Sequence, residues 1–190
     1  MTQTKFDVII RQEPLVGRMC GVKDTVNRRA IDPPLIIELA NIETPDDIDC
    51  LSFCNRFICH LNLYSEDHEN SMYFRQVDSR PLRNMLGDAT ASAIPLHDPQ
   101  DDELKLFFIF HNISIRKTGM YYFSCDIIDV ESGLIQTKNT NCFKIYNNKE
   151  FPGNAPCTTL SRSFISQGIR IRFKPQIKNN DCHYQQNTSG

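Results

Sequence analysis

The stretch from Arg11 to Pro34, RQEPLVGRMCGVKDTVNRRAIDPP, joins two apolar runs near the amino terminus. The run before it, residues 6–11, alternates apolar and polar side chains, and the run after it covers Leu35–Leu39. Such runs predict two β-strands joined by a long loop. Two prolines stiffen the exit of this loop, and we expect Gly17 and Gly21 to let it bend.

The same loop is rich in positive charge. It carries Arg18, Lys23, Arg28 and Arg29. Cations on a loop that a rigid scaffold holds still are a common means of gripping phosphate groups and base edges. The stretch therefore predicts a β scaffold with a candidate nucleic-acid-binding loop on it.

Most other apolar residues recur with a period of two, in short runs bounded by Gly, Pro, Asn or Asp. This pattern predicts an all-β fold, an antiparallel β-sandwich. A chain of 190 residues with 40% hydrophobic residues fits one domain. We expect that domain to cover residues 1–178, followed by a flexible tail at 179–190. The clearest alternating runs are residues 59–64, 104–110, 121–128, 143–146 and 169–174.

Two short helices are predicted within this β pattern. The first begins at Pro81, which suits a first helical position, and stops at Gly87. The second spans about Leu160–Gln167, with Thr158 or Thr159 as its amino-terminal cap. The fold class is thus all-β with one or two short helices.

The formal net charge of −2 is uninformative, but its distribution is uneven. Residues 38–103, which include a predicted long loop at 41–55, hold 14 acidic and 4 basic side chains. Residues 144–178 hold 7 basic side chains and one acidic, and residues 11–29 hold 5 basic and 2 acidic. If the two basic segments meet in the fold, the molecule has one positive face. The alternative is that they are ordinary solvated surfaces.

The eight cysteines allow two interpretations. Their even number and the sequons at Asn112 and Asn187 fit a secreted disulfide protein. Charged residues at the start of the chain leave no apolar core for a signal peptide, and no run is long enough to span a bilayer. We therefore expect an intracellular protein with reduced thiols.

Metal binding and catalysis find little support in the sequence. Cys50, Cys54, Cys59 and His60 are zinc-type ligands, but their spacing is irregular. Neighbours such as Cys59 and His60 would also point to opposite faces of a strand. No nucleophile elbow, paired-carboxylate motif or phosphate-binding glycine loop is present. We predict no cofactor, no metal and no enzymatic activity.

Three blocks of the sequence, in order, closely resemble the velvet family of fungal transcriptional regulators. Together they span roughly residues 6–174, so the resemblance covers nearly the whole chain. One departure is Ala30, where the family usually places proline after the paired arginines. The first block holds Gln12–Pro14, Arg18–Gly21 and Arg28–Pro34; the second is Phe107–Tyr121; the third holds Lys149–Gly153, Leu160–Gly168 and Ile169–Phe173.

The resemblance implies a more specific fold and function. Velvet domains are immunoglobulin-like sandwiches that resemble the DNA-binding half of Rel-type transcription factors. They act as homodimers or heterodimers with one another in fungal development, sporulation and secondary metabolism. The implied partners are double-stranded DNA and other velvet proteins, and the implied location is the nucleus, with a cytoplasmic pool.

The candidate DNA contacts are basic and amide side chains on three segments. Arginine can bridge guanine O6 and N7, lysine neutralises phosphate, and asparagine can read a base edge. The alternative for the paired arginines is that Arg28 or Arg29 pairs with Asp32 or Glu13 to fix the loop. The candidates are Arg18, Lys23, Asn27, Arg28 and Arg29 on the loop, Arg116 and Lys117 on a turn, and Arg170 and Arg172, with Lys174, on a predicted basic strand.

Two other functions stay open at the level of sequence. The first is a velvet-type heterodimerisation module without direct DNA contact, which Ala30 and the acidic middle segment favour. The second is an extracellular immunoglobulin-like domain, which the cysteine count and the sequons favour. Salt dependence of DNA binding and a count of free thiols separate these alternatives.

Overall fold

A computed structural model describes residues 6–21, 28–42, 54–67, 71–72, 74–77, 80–133 and 135–172. Lys23, Asn27, Cys50, Lys174 and the predicted tail at 179–190 lie outside these ranges. The elements are β1 Asp7–Gln12, β2 Val16–Arg18, β3 Leu35–Ala40, β4 Phe57–Ser65, β5 Phe74–Val77, β6 Arg80–Arg83, β7 Met85–Leu86, β8 Thr90–Ser92, β9 Ile94–His97, β10 Leu104–Phe110, β11 Ser114–Ile115, β12 Gly119–Asp129, β13 Ile135–Asn139, β14 Phe143–Tyr146 and α1 Thr159–Ser166.

The strands form two main sheets. One has the order β1-β3-β10-β9, and the other has the order β2-β14-β12-β4-β8, with β13 also pairing with β12. The pairs are antiparallel except for β2 and β14, which run parallel. Two further two-stranded pairs, β7 with β11 and β5 with β6, lie beside them. The prediction of an all-β sandwich is confirmed.

The core lies between the inner faces of the two main sheets. Along β4 and β12, buried and part-exposed side chains alternate, as the period of two predicts. Cys59 points into this core, whereas its neighbour His60 points outward and its ring Nδ1 lies 2.9 Å from the hydroxyl of Thr90. The largest core side chains include Phe57, Leu61, Phe108, Tyr121, Phe123 and Phe143.

Strand β10 is buried on both faces, which simple alternation does not predict. Phe108 faces the inner core, while Phe107 and Ile109 face a second apolar cluster on the outside of the smaller sheet. Helix α1 covers that outer face, and the ring of Phe164 lies 4.8 Å from the ring of Phe107. The smaller sheet is therefore sandwiched between the larger sheet and α1.

The prediction of α1 is confirmed. The helix spans Thr159–Ser166, and the side chain of Thr158 accepts a hydrogen bond from the backbone of Ser161, which makes Thr158 the cap. Gly168, with φ of +97°, follows the helix and supplies the left-handed conformation that ends many helices.

The prediction of a helix at 81–86 is wrong. Pro81 lies instead in β6, opposite Gln76 of β5, in a two-stranded hairpin. Proline is tolerated there because an edge strand leaves one side unpaired. The run was too short for its period to separate strand from helix. Gly87, with φ of +103°, forms the turn after β7 instead of a helix stop.

The predicted basic strand at 169–174 is also wrong over its described part, because residues 169–172 form no strand. The alternation of the side chains nevertheless holds. Ile169 and Ile171 pack against the outer cluster, and Arg170 and Arg172 are exposed. The backbone N–H of Ile169 donates to Phe164, 3.0 Å away, so the segment continues directly from α1.

A hydrogen bond of Tyr121 bears on the class of β-sandwich. The hydroxyl of Tyr121, near the start of β12, donates to the carbonyl of Lys117 at 3.1 Å. A tyrosine that bonds to the backbone a few residues upstream is a feature of immunoglobulin-like sandwiches.

Within the described ranges, no helix is long and apolar enough to cross a bilayer.

Candidate nucleic-acid interface

The entry of the basic loop, at residues 20–21, is held by hydrogen bonds to residues 115–116. The backbone N–H of Cys20 donates to Ile115 at 3.0 Å. The guanidinium of Arg116 donates to the carbonyl of Gly21 at 2.8 Å. Both bonds lie immediately before residue 22, so the loop leaves the sandwich from a fixed point.

The exit of the loop is held by the same segment. The hydroxyl of Ser114 donates to the carbonyl of Arg29 at 2.7 Å. Two residues further on, the backbone N–H of Ile31 donates to Ile113 at 2.8 Å. Residues 113–116 therefore hold both stems of the loop, and we call them the stem clamp.

Arg116 is placed differently from the sequence prediction. Its side chain is buried, and it donates inward to Gly21 instead of facing solvent. A buried guanidinium that bonds to the loop backbone holds the loop in position. Lys117, next to it, is exposed and stays a candidate contact.

Gly17 has a packing role instead of the predicted bending role. It lies in β2, buried against β14, and a Cβ at this position would stand 2.5 Å from Cδ1 of Ile145. The side chains of Ile145 and Ile31 fill the space that a Cβ would take, so the packing here favours glycine. Arg18, the last residue of β2, is half-buried and lies opposite Tyr146 in the ladder.

Four predicted contact residues meet in one groove. Arg28 and Arg29 at the loop exit and Arg170 and Arg172 after α1 all line a cavity of about 490 Å³. The two pairs are more than 130 positions apart in the sequence. The expectation that basic segments meet on one face is thus met for these four residues. His111, Asn112 and Asn154 line the same groove, which we call the arginine groove.

Helix α1 is what brings the second arginine pair to the groove. At its start, the buried amide of Gln12 donates to Ser161 at 3.0 Å and accepts from Thr158 at 2.5 Å. At its end, Gln167 exchanges two hydrogen bonds with the backbone of His97, at 2.8 and 2.9 Å. Both ends of α1 are thus tied to the smaller sheet, which fixes the point from which the segment after the helix starts.

Glu13 and Asp32, which the sequence offered as salt-bridge partners of Arg28 or Arg29, accept hydrogen bonds from other residues. Glu13 accepts from the side chain and backbone of Asn141, at 2.5 and 3.1 Å. Asp32 accepts from the backbone N–H of Ala155 at 2.5 Å. In the part of the chain that the structure describes, Arg28 and Arg29 form no salt bridge.

Two titratable groups in the groove have shifted pKa values. Burial raises the pKa of Asp32, against the hydrogen bonds from Ala155 and Asn154. Burial also lowers the pKa of His111, and the charge of Arg172 lowers it further, while Asp88 opposes the shift. The groove therefore holds four guanidinium groups, the carboxyl of Asp32 and a histidine that favours its neutral form.

Sequence reasoning missed three groove residues. His111 and Asn112 lie inside the central block that resembles the velvet family, and Asn154 comes directly after Lys149–Gly153, the first part of the closing block. Their side chains are polar in otherwise apolar or turn-rich surroundings, which alone is a weak signal. The side chain of Asn112 donates to Asp88 at 2.5 Å and accepts from the Asp88 backbone at 3.0 Å, so it is held in place.

The candidate zinc ligands form no cluster among the described residues. Cys59 is buried in the core beside Cys125, and contact with Cys125 together with burial raises the pKa of the Cys59 thiol. Cys50 lies outside the described residues. The six cysteines in the described ranges form no disulfide with one another, and those ranges contain no cluster of three metal-type ligands.

The geometry thus defines a class of molecule: an all-β sandwich that presents arginines from two distant segments on one surface. Comparison with known proteins identifies the family. The family model for Velvet factor matches residues 6–81 and 70–177, and the chain belongs to the velvet family.

Individual relatives are regulators of fungal development by name. The chain is 28% identical over 183 residues to the sexual development regulator VELC of Pyricularia oryzae, covering 90% of this chain and 41% of that protein. It is 29% identical over 175 residues to the spore development regulator VOSA of the same fungus, covering 89% and 33%. It is 38% identical over 112 residues to the velvet complex subunit umv2 of Mycosarcoma maydis, covering 52% and 24%. The chain spans less than half the length of these relatives.

Proposed function

We propose that this chain is the DNA-binding velvet domain of a regulator of fungal development, with the arginine groove as its main contact with duplex DNA. Its role would be binding and not catalysis. Family membership supports the regulatory role, since relatives are named for sexual and spore development. Control of secondary metabolism and a nuclear location with a cytoplasmic pool remain predictions from the family.

The observation that carries the proposal is the convergence of Arg28, Arg29, Arg170 and Arg172 on one groove. Four guanidinium groups line the groove against the carboxyl of Asp32, so the surplus of positive charge favours a polyanion. A planar guanidinium forms paired hydrogen bonds to phosphate oxygens or to guanine. The groove therefore suits a DNA backbone with an adjacent base edge.

The experiment replaces both loop arginines in the full chain. The Arg28→Ala and Arg29→Ala double variant should bind a duplex selected from a random pool more weakly, by roughly 1–3 kcal/mol per lost base contact. Folding should be unchanged, because neither side chain belongs to the core. A gel-shift titration measures the affinity and a thermal melt measures the folding.

The matched control is Lys138→Ala, which removes an exposed charge from β13. Its affinity should stay close to that of the wild type. If the double variant binds as tightly as the control, the groove is not the DNA contact.

A second candidate function is heterodimerisation without DNA contact. Relatives named as velvet complex subunits favour association with other velvet proteins. We propose such a partner for this chain whether or not it binds DNA. Co-purification with a velvet protein from the same fungus, combined with no binding of duplex DNA by either the chain or the pair, would favour this second function.

A further inference from the structure

The hairpin of β5 and β6 is bonded to residues 116–117, next to the entry of the basic loop. We infer that it contacts the same DNA duplex as the arginine groove, through Arg80, Arg83 and the exposed Phe74. The inference rests on the proposed function, and it adds a contact element that lies inside the acidic middle segment of the sequence.

The base of the hairpin is fixed to the stem clamp. The residue after β6, Asn84, is fully buried, and its carbonyl accepts from the backbone N–H of Arg116 at 2.9 Å. Its side chain accepts from the backbone N–H of Lys117 at 3.1 Å and donates to Met72 at 2.9 Å. One buried asparagine therefore ties both ends of the hairpin to the turn at residues 116–117.

That turn is also the support of the basic loop. Arg116 donates to Gly21 at the loop entry, and β7, directly after the hairpin, pairs with β11 of the stem clamp. The hairpin thus stands on the entry side of the loop, while the arginine groove stands on the exit side. The groove is lined by His111 and Asn112 and the hairpin is bonded to residues 116–117, so one short segment joins the two features, and we expect one duplex to reach both.

The chemistry of the hairpin suits a duplex. Arg80 and Arg83 are exposed, as is Lys117 at its base, and the Arg83 guanidinium also donates to the carbonyl of Gly87 at 3.4 Å. Phe74 is 58% exposed and lies opposite Arg83 in the strand register. Several DNA-binding folds place a two-stranded ribbon in a DNA groove, and minor-groove proteins often insert phenylalanine or another apolar side chain between base steps.

The test measures binding of one fluorescent mixed-sequence duplex to the full chain at several salt concentrations. Replacing either Arg80 or Arg83 by Ala should weaken binding about fivefold to tenfold near 0.1 M salt, since each phosphate contact contributes a salt slope of about 0.9. The slope should fall by about that amount per arginine. Phe74→Ser should weaken binding without changing the slope, because it removes no charge.

Lys138→Ala serves as the control for loss of one exposed charge, and thermal melts check that each variant is folded. The inference is overturned if the folded hairpin variants bind like Lys138→Ala while the Arg28→Ala and Arg29→Ala variant binds weakly. That result would leave the proposed function standing. If the wild-type chain does not bind the duplex at low salt, the proposed function and this inference both fall.

Discussion

Single residues decide whether a cation in this domain supports the loop or contacts a ligand. Arg116 and Lys117 are neighbours in the sequence and looked equivalent there. In the structure Arg116 is buried and bonded to Gly21, whereas Lys117 is exposed. Sequence patterns do not separate these two roles, because the difference depends on a loop about 95 residues away.

Arg116→Gln should loosen the loop entry, because the carbonyl of Gly21 loses the guanidinium that donates to it. We expect a loss of about 1–3 kcal/mol in the free energy of unfolding. DNA affinity should fall while its salt slope stays the same, because no phosphate contact is removed. Urea unfolding and salt titration of duplex binding measure the two quantities.

Lys117→Gln is the matched comparison. The exposed lysine should leave stability nearly unchanged and lower the salt slope by about 0.9 if it contacts phosphate. A drop in slope for Arg116→Gln, with stability unaffected, would show that Arg116 is itself a DNA contact.

At the scale of elements, α1 connects folding to the proposed function. The helix covers the outer face of the smaller sheet and carries the chain on to Arg170 and Arg172. The Gln12 side chain at its start belongs to the first block that resembles the velvet family. This contact gives that glutamine a physical role, because it joins β1 to the cap of the helix.

Phe164→Ala should remove most of the contact between α1 and β10. The side chain is fully buried, so we expect a cost of about 3–5 kcal/mol in the free energy of unfolding. DNA binding should also weaken at temperatures where the protein is still folded, because the segment after the helix loses its anchor. Chemical unfolding and anisotropy titrations on the same preparation check both effects.

Ile165→Ala is the control on the adjacent position, which is 38% exposed. It should affect stability and DNA binding much less. Equal affinities for Phe164→Ala and the wild type, under conditions where both are folded, would show that the helix does not position the DNA contacts.

The strands β4, β10, β12 and β14 and the helix α1 were predictable because they depend on local periodicity and capping. The paired runs at β4 and β12 and the Thr158 cap needed only neighbouring residues. The hairpin at 74–83 was missed because Pro81 with three apolar neighbours also fits a helix. The burial of Phe107 on the outer face of β10 depends on α1, which lies more than 50 residues later.

At the scale of the whole molecule, part of the acidic surplus is used inside the fold. Arg11 donates to Glu38 and to both carboxylate oxygens of Asp98, at 2.7 Å to Oδ2 and 3.1 Å to Oδ1. The Nζ of Lys105 lies 2.9 Å from Asp98 Oδ2. Net charge by segment therefore overstates the acidic surface.

These internal ion pairs predict a loss of stability in acid. The Arg11 guanidinium holds the pKa of Asp98 well below its ordinary value of 3.8, and Arg56 does the same for Asp129. A lowered pKa means that the unfolded chain takes up protons first. The stabilisation is complete above 3.8 and is lost as the pH falls toward the folded values. Urea unfolding at a series of acidic pH values should show this decline.

Asp98→Asn should make that decline shallower, because one of the two linked carboxylates no longer titrates. The variant should also be less stable at neutral pH, where Arg11 and Lys105 lose a charged partner. A free energy of unfolding that does not change across the acidic range would contradict the assigned ion pairs.

The most direct measurement of the central claim is the salt dependence of duplex binding for the wild-type chain and for the variant with Arg28, Arg29, Arg170 and Arg172 all changed to Ala. If the groove grips the DNA backbone, wild-type affinity should fall steeply and linearly on a logarithmic salt scale. The slope should be smaller in the variant by as much as about 0.9 for each arginine that contacts a phosphate. Identical slopes and affinities for the two folded proteins would contradict the account.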